Sequence, residues 1–268
     1  MSGAQSVDRA LALLSTVGRH AGRGVSLSAL VDESGLNKPT VRRLLLALIR
    51  GGLVEQEEKS RLYFLGEEAY VLGTLASRRF GLLEICRGSL SRLSAKTEDT
   101  SFLSVRRDML SLCLYREEGT YPIRTHALQM GFEHPLGIGA GSLAMLAALR
   151  DEDVEEALAV NRDIILERYA NLPPDRIRAA VTQTRERGYS LNPGLIVANS
   201  WGLGVAFHFP DGRLAGALSI AAIDSRMQEE RQTELAGYLR QEATRVEEKL
   251  AAMFSARRGA ADKSQSRR

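Results

Sequence analysis

Residues 35–50 read GLNKPTVRRLLLALIR, and this stretch decides the fold of the N-terminal part of the chain. Asn37 is a favoured N-cap residue and Pro39 suits the first turn of a helix, so a helix is expected to begin here. From Val41 onward, apolar residues recur at i, i+3, i+4, i+7 and i+8, which predicts one buried stripe. Arg43 lies nearly opposite the centre of that stripe, at roughly 100° per residue. The pattern predicts a helix with an apolar inner side and a basic outer side.

The flanking segments predict the partners of this helix. A shorter helix is expected over residues 26–34, and Gly35 allows the tight turn that ends it. Beyond the central helix, strands over residues 53–56 and 61–65 enclose the turn EEKS and predict a two-stranded ribbon. Two helices, a glycine-centred turn and a ribbon together predict a winged helix-turn-helix over residues 1–65.

A winged helix-turn-helix with a basic outer face is typical of DNA binding. A helix about 10–12 Å wide fits the major groove, and arginine can reach guanine O6 and N7 with two hydrogen bonds. Threonine or lysine beside it can contact phosphates. The alternative interpretation is a solvated basic face without a partner. The predicted DNA-binding residues are Ser26, Asn37, Lys38, Thr40, Arg42, Arg43, Arg50 and Arg61.

Composition excludes several classes of protein. The chain has 268 residues, 44% hydrophobic and 26% charged, which is typical of a globular protein. No apolar run approaches the ~18–20 residues that would cross a bilayer, and the first residues do not resemble a secretion signal. Two cysteines, Cys86 and Cys113, are too few for a disulfide scaffold. We therefore expect a cytoplasmic protein without a membrane partner, and no metal or cofactor is expected.

The remainder of the chain predicts a second domain of the α+β class, in which helices flank an antiparallel sheet. Helices are expected over residues 66–79, 82–95, 140–149, 152–161, 174–188 and 228–254, and strands over 100–107, 109–116, 121–127, 201–209 and 214–221.

One glycine-rich stretch in this domain indicates a ligand site. Residues 134–146 read HPLGIGAGSLAML, so three glycines precede an apolar helix. Free amide groups at a helix start favour an anion, and glycine permits close approach to the backbone. The stretch is neither a Walker A loop nor a dinucleotide-binding motif. The alternative is a tight turn packed under a core helix.

The sequence resembles a known family. SVDRALALLSTVGRH, LSALVDESGLNKPTVRRLLLALIRGGLVE and YFLGEEAYVLG are similar to the winged helix-turn-helix of IclR-type bacterial transcriptional regulators. The similarity continues through GFEHPLGIGAGSLAMLAAL, RERGYSLNPG and GRLAGALSIA, and it spans residues 5–254. It implies a linker helix over 66–80, a GAF-like effector-binding domain over 81–254, and a homodimer or tetramer. Residues 255–268 are expected to be a disordered basic tail.

The resemblance also implies where a small-molecule effector binds. The implied residues are Met130, His134, Gly139, Ala140, Gly141, Ser142, Trp201, Leu203, Ser219 and Ala221. This chain departs from the family pattern in two places. Ser142 stands where a lysine is common, and Leu195 stands where an acidic residue is common. An apolar lining and a helix start suit a small organic acid, with an aromatic body as one option.

Two further classes remain open from the residues alone. One is a thiol-dependent enzyme that uses Cys113, although the histidines are scattered and no HExxH or GxSxG motif is present. The other is a small-molecule sensor whose winged helix contacts protein instead of DNA. The favoured interpretation is a DNA-binding transcriptional regulator without catalytic residues.

Overall fold

The computed structural model describes residues 4–123 and 128–265, and the chain divides into two compact units. The first unit spans Met1–Leu82 and the second spans Leu83–Arg268.

The first unit is the expected winged helix-turn-helix followed by a linker helix. Its core is formed by the inner sides of the first three helices together with the wing. The elements are α1 (Gln5–Arg19), α2 (Leu27–Ser34), α3 (Lys38–Arg50), β1 (Val54–Gln56), β2 (Tyr63–Leu65) and α4 (Glu67–Phe80).

Local signals in the sequence fix the turn between α2 and α3. The Ser26 hydroxyl accepts a hydrogen bond from the Ala29 amide at 3.2 Å, which caps α2. Gly35 ends that helix with a φ of 65°, the left-handed region that glycine enters without a steric cost. Asn37 Oδ1 accepts from the Thr40 amide at 3.0 Å and caps α3. The predicted helix-turn-helix is confirmed.

The second unit is built on one antiparallel sheet. Within the described residues, six strands lie in the order β5-β4-β3-β8-β7-β6. Helix α6 packs against this sheet with every residue buried. The elements are α5 (Leu82–Thr97), β3 (Thr100–Arg107), β4 (Leu110–Glu117), β5 (Glu133–Pro135), α6 (Ala140–Ala147), α7 (Asp151–Val160), α8 (Arg162–Arg168), α9 (Pro174–Arg187), β6 (Ser190–Pro193), β7 (Ser200–His208), β8 (Leu214–Ile223) and α10 (Glu229–Gln265).

The expected α+β class is confirmed, but one predicted strand is wrong. Residues 121–123 of the predicted strand 121–127 are not in a strand, and residues 124–127 lie outside the described part. The Tyr121 ring instead packs under the Arg226 guanidinium, 3.8 Å from its centroid. The sheet position beside β4 is taken by β5. Tertiary contacts here outweigh the strand propensity of the segment.

The end of the chain also differs from the prediction. Helix α10 continues past Phe254 to Gln265, whereas the sequence predicts a disordered tail from residue 255 onward. The polarity of this segment indicates that it adds little to a core, but alanine and arginine still favour helix and no proline interrupts it. Residues 266–268 of the predicted tail lie outside the described residues.

Candidate functional site

The outward side of α3 is cationic and unpaired. Its inner side buries Val41, Leu44, Leu45 and Leu48, whereas Arg42, Arg43 and Arg50 are exposed. Within residues 4–123 and 128–265, no carboxylate forms an ion pair with these arginines or with Lys38 and Arg61. Cations without internal partners are free to neutralise phosphates.

A groove of about 1440 Å³, open to solvent, runs between α2, α3 and the wing. Four of the predicted DNA-binding residues line it: Ser26, Lys38, Arg42 and Arg61. Arg61 has a φ of 60°, and its carbonyl accepts a hydrogen bond from Gln56 Nε2 at 2.8 Å. This bond holds the end of the wing beside the groove.

The other predicted residues lie elsewhere on the same unit. Asn37 caps α3 through the Thr40 amide, whereas Arg43 and Arg50 point outward beyond the groove. Ser28 and Gln56 also line the groove, but they are not among the DNA-binding residues predicted from the sequence. The sequence offers little reason to choose them as DNA-binding residues, because a serine near the start of a helix and a glutamine in a ribbon are both common.

The second unit encloses a cavity of about 550 Å³, a volume that includes its open mouth. It lies between the start of α6 and strands β3, β4, β7 and β8. The resemblance-based residues that line it are His134, Gly139, Ala140, Gly141, Ser142, Trp201, Ser219 and Ala221.

Two of the implied effector residues do not line this cavity. Met130 is exposed, and Leu203 is fully buried. Gly202 and Gly204 approach α6, since a Cβ on Gly202 would lie 3.2 Å from the Ala140 Cβ. Successive residues in a strand point to opposite faces, so Leu203 points away from the cavity. Neither Met130 nor Leu203 is therefore part of the cavity lining.

The start of α6 offers free amides to the cavity. Gly139 is the N-cap residue with a φ of 89° and gives no side-chain cap. The amides of Ala140, Gly141 and Ser142 in the first turn have no acceptor within the helix. Together with the helix dipole, they favour a negatively charged group. The Ser142 hydroxyl itself is engaged, because it accepts from the Gly137 amide at 2.9 Å.

Buried serine hydroxyls open onto the same cavity. Ser104, Ser111 and Ser219 line it and are almost fully buried, yet none donates to or accepts from another described residue. Because these serines line the cavity, a ligand bound there can form hydrogen bonds with their hydroxyls. Ser104 and Ser111 are not among the site residues predicted from the sequence, although each is a polar residue within a strand that also contains apolar residues.

The cavity is electrically neutral. No Asp, Glu, Lys or Arg is among the lining residues in the described part of the chain. His134 Nδ1 lies 2.9 Å from the Tyr169 hydroxyl, and burial lowers the pKa of His134. This imidazole is therefore uncharged at neutral pH, and the strongest attraction for an anion comes from the α6 amides.

Other classes of site are absent from the described ranges. No group of three or more His, Cys, Asp or Glu side chains could hold a metal ion there. None of the helices in those ranges combines the length and apolar character that crossing a bilayer requires.

A winged helix with free cations, in one chain with a domain that encloses a neutral cavity, defines a DNA-binding regulator that takes a small molecule. Comparison with known families agrees with this class. The IclR helix-turn-helix domain matches residues 6–58, and the bacterial transcriptional regulator IclR C-terminal domain matches residues 74–248. The chain belongs to the IclR family of transcriptional regulators, with a DNA-binding helix-turn-helix domain and a C-terminal effector-binding domain.

Individual relatives support the assignment. The chain is 28% identical to the HTH-type transcriptional regulator BhcR of Paracoccus denitrificans over 193 residues, 71% of this chain and 67% of BhcR. A crystal structure of an IclR transcriptional regulator from Silicibacter sp. is 28% identical, with a TM-score of 0.76, and covers 91% of this chain and 96% of that one. A Microbacterium hydrocarbonoxydans IclR homologue, complexed with 4-hydroxybenzoate, shares the fold at 21% identity, with a TM-score of 0.69 and coverage of 90% and 99%.

The thiol-enzyme interpretation is overturned by family and by geometry. Members of this family are transcriptional regulators, not enzymes. Cys86 and Cys113 are both buried, and burial raises the pKa of each thiol to about 12. A thiolate is the nucleophilic form, so neither sulfur is activated for catalysis.

Proposed function

We propose that this regulator controls its operator in the cytoplasm in response to a small aromatic acid with a second polar group. The observation that carries the effector assignment is a neutral cavity where free helix amides and unbonded serine hydroxyls meet. The effector regulates by binding more tightly to one arrangement of the DNA-binding units than to another.

The carboxylate of the effector is assigned to the start of α6. A Cβ built on Gly141 would lie 3.1 Å from Ser219 Oγ and 3.2 Å from Ser104 Oγ. Two hydroxyls therefore converge on the first turn of the helix, whose amides already favour an anion.

An aromatic body is assigned to the middle of the cavity. Phe102, Ile138, Ile196 and Trp201 supply apolar lining, which suits a ring. The Microbacterium homologue holds 4-hydroxybenzoate, an acid of this shape. The chemistry of the lining, rather than the distant identity, supports an effector of the same class here.

A second polar group is assigned to the end of the cavity near β5. Ser111 pairs with His134 across β4 and β5, and both line the cavity. Ser111 is also the partner of Arg106, two residues along β3 from Ser104. Two residues of a strand rise about 7 Å, so the two polar ends are separated by about the length of a ring.

A ligand series tests the effector assignment. Thermal shift and calorimetry would compare 4-hydroxybenzoate, benzoate, benzamide and cyclohexanecarboxylate. A ligand that binds only the folded protein raises its melting temperature. We expect the largest rise with 4-hydroxybenzoate, because it carries both the carboxylate and a second polar group. The uncharged benzamide should bind at least tenfold more weakly than benzoate. Trp201→Ala should lower the affinity of the protein for every aromatic ligand in the series. Equal affinities for benzoate and benzamide would contradict the assignment of the carboxylate to the start of α6.

The proposed DNA binding is tested separately, with substitutions on α3. Random-site selection with the full chain should return one preferred sequence. Arg43→Ala should weaken that site by about 10–100-fold and relax its base preference, because a bidentate guanine contact is worth about 1–3 kcal/mol. Arg162→Ala, on an exposed face of the other unit, is the matched control. Unchanged selection by Arg43→Ala would reject this assignment of the recognition helix.

Self-association into a homodimer or tetramer completes the proposal. Apolar side chains are exposed on both α1 and α4; they include Val7, Leu11, Tyr70, Leu72 and Leu75, and Tyr70 is 75% exposed. Paired units would read half-sites about one helical turn, roughly 34 Å, apart. Analytical ultracentrifugation should find two or four chains, and Leu75→Asp should lower that number. A monomeric wild-type chain at micromolar concentration would contradict the pairing.

A further inference from the structure

We propose that Leu46 contacts the 5-methyl group of a thymine in the operator, beside the base that Arg43 contacts. The inference rests on the proposed binding of DNA through α3 and names one base that this helix reads. It concerns the sequence preference of this chain alone, since Leu46 is outside the residues assigned above.

The position of Leu46 is unusual for a leucine. It is 48% exposed, in the middle of a helix whose other leucines are buried. Arg42 precedes it by four residues, Arg43 by three, and Arg50 follows it by four, so these guanidiniums surround it on the helix surface. An apolar side chain is thus placed at the centre of a cationic face.

The groove beside α3 supports a role in contact with DNA. Leu46 lines this groove together with Lys38, Arg42 and Arg61. None of these cations forms an ion pair in the described part of the chain, so the groove is open to a phosphate backbone. A duplex seated there brings base edges, and not phosphates alone, against the outer side of the helix.

The chemistry of the major groove then selects the base. Donor and acceptor groups cover most base edges, and the methyl group of thymine is the apolar feature that an aliphatic side chain recognises. Arginine next to it favours guanine. We therefore expect a half-site with a thymine adjacent or close to a guanine.

Replacing thymine by uracil removes that methyl group and nothing else. After site selection with the full chain, each thymine of the half-site would be changed to deoxyuracil in turn. At one position, we expect wild-type affinity to fall about threefold to fivefold, which corresponds to one buried methyl group. Leu46→Ala should lose affinity for the thymine operator by a similar factor and should not distinguish thymine from uracil.

Two controls keep the result interpretable. Leu166→Ala removes a leucine that is 47% exposed in the other unit, and this variant should keep the wild-type discrimination. Alanine favours helix at least as strongly as leucine, so Leu46→Ala should fold, as circular dichroism would show.

The outcomes separate this inference from the proposed function. If the wild-type chain selects no sequence, DNA recognition through α3 fails and the inference fails with it. If the chain selects a site but no uracil substitution weakens binding, only the contact by Leu46 is overturned. Discrimination that persists in Leu46→Ala would overturn it as well.

Discussion

Gly141 faces the hydroxyl of Ser219 so closely that a Cβ on Gly141 would lie only 3.1 Å from Ser219 Oγ. Space at the start of α6 therefore depends on the absence of a side chain. The hydroxyls of Ser104 and Ser219 both lie close to the first turn of α6, which is where the carboxylate of an effector is assigned.

Gly141→Ala should weaken effector binding by at least tenfold, because the new methyl group occupies the polar end of the cavity. The variant should still fold, since alanine in a helix is favoured over glycine by about 1 kcal/mol. Calorimetry with 4-hydroxybenzoate measures the loss, and binding of unliganded protein to operator DNA should be unchanged. Gly237→Ala, where an added Cβ meets nothing within 4 Å, is the matched control. Full effector affinity in Gly141→Ala would place the ligand elsewhere.

The two cysteines should be unreactive in the native protein. Cys86 and Cys113 are buried, and burial raises both pKa values to about 12, so little thiolate exists at neutral pH. A disulfide reagent such as DTNB should label neither thiol in buffer and both in guanidinium chloride. Cys113→Ser should retain operator binding. Stoichiometric labelling of the native protein would contradict the burial of these thiols.

The helix-turn-helix could be predicted from sequence because its signals are local. The two caps, the left-handed Gly35 and the apolar stripe of α3 all lie within a short segment, and each has a direct physical reading. The wing could be predicted for the same reason. Its two strands are joined by a short turn, so their pairing needs no distant contact.

The cavity was predicted only in part, because it is assembled by distant contacts. Ser104 and Ser219 meet only because β3 pairs with β8 across more than a hundred residues. No local pattern shows this pairing, and neither serine has a distinctive neighbour in sequence. The positions at the start of α6 were found through glycine spacing and family resemblance. Trp201, Ser219 and Ala221 of the sheet were implied by the resemblance alone, whereas Ser104 and Ser111 needed the structure.

Acid should destabilise the second unit through Glu242. Its carboxylate is almost fully buried and accepts hydrogen bonds from Arg92 Nη2 at 2.6 Å and Arg92 Nε at 3.0 Å. Burial alone would raise the pKa of Glu242, but the hydrogen bonds from Arg92 and Ser89, with the charges of Arg92 and Arg245, hold it below the usual 4.5. Since the folded-state pKa lies below the unfolded one, this contribution is complete above about pH 4.5 and is lost as the pH falls through the folded-state value.

Urea unfolding between pH 7 and pH 3.5 would measure this effect. Glu242→Gln should be less stable than wild type at pH 7 and should lose less stability on acidification, because it has no carboxylate to protonate. Glu167→Gln, at an exposed position without a hydrogen bond to any described residue, should follow the wild-type profile. Parallel profiles for wild type and Glu242→Gln would show that another group governs the acid limb.

Replacing the buried, charged side chain of Asp99 should destabilise the second unit. Its carboxylate accepts from Arg226 Nε at 2.9 Å and from Arg231 Nη2 at 2.7 Å, and its side chain is 2% exposed. These bonds join the start of β3 to the segment that begins α10. Asp99→Asn preserves the shape of the side chain but removes the counter-charge of Arg231 and leaves Arg226 only its longer ion pair with Glu98, at 3.7 Å. Removing one partner of a buried ion pair costs about 3–5 kcal/mol, and the partial exposure of both arginines places the expected loss near the lower value, roughly 3 kcal/mol. For a unit of this size, that is a fall in melting temperature of roughly 6–12 °C.

Asp163→Asn, at an exposed position, provides the comparison in the same thermal scan. A fall no larger than that of Asp163→Asn would mean that packing, and not this ion pair, joins the two segments.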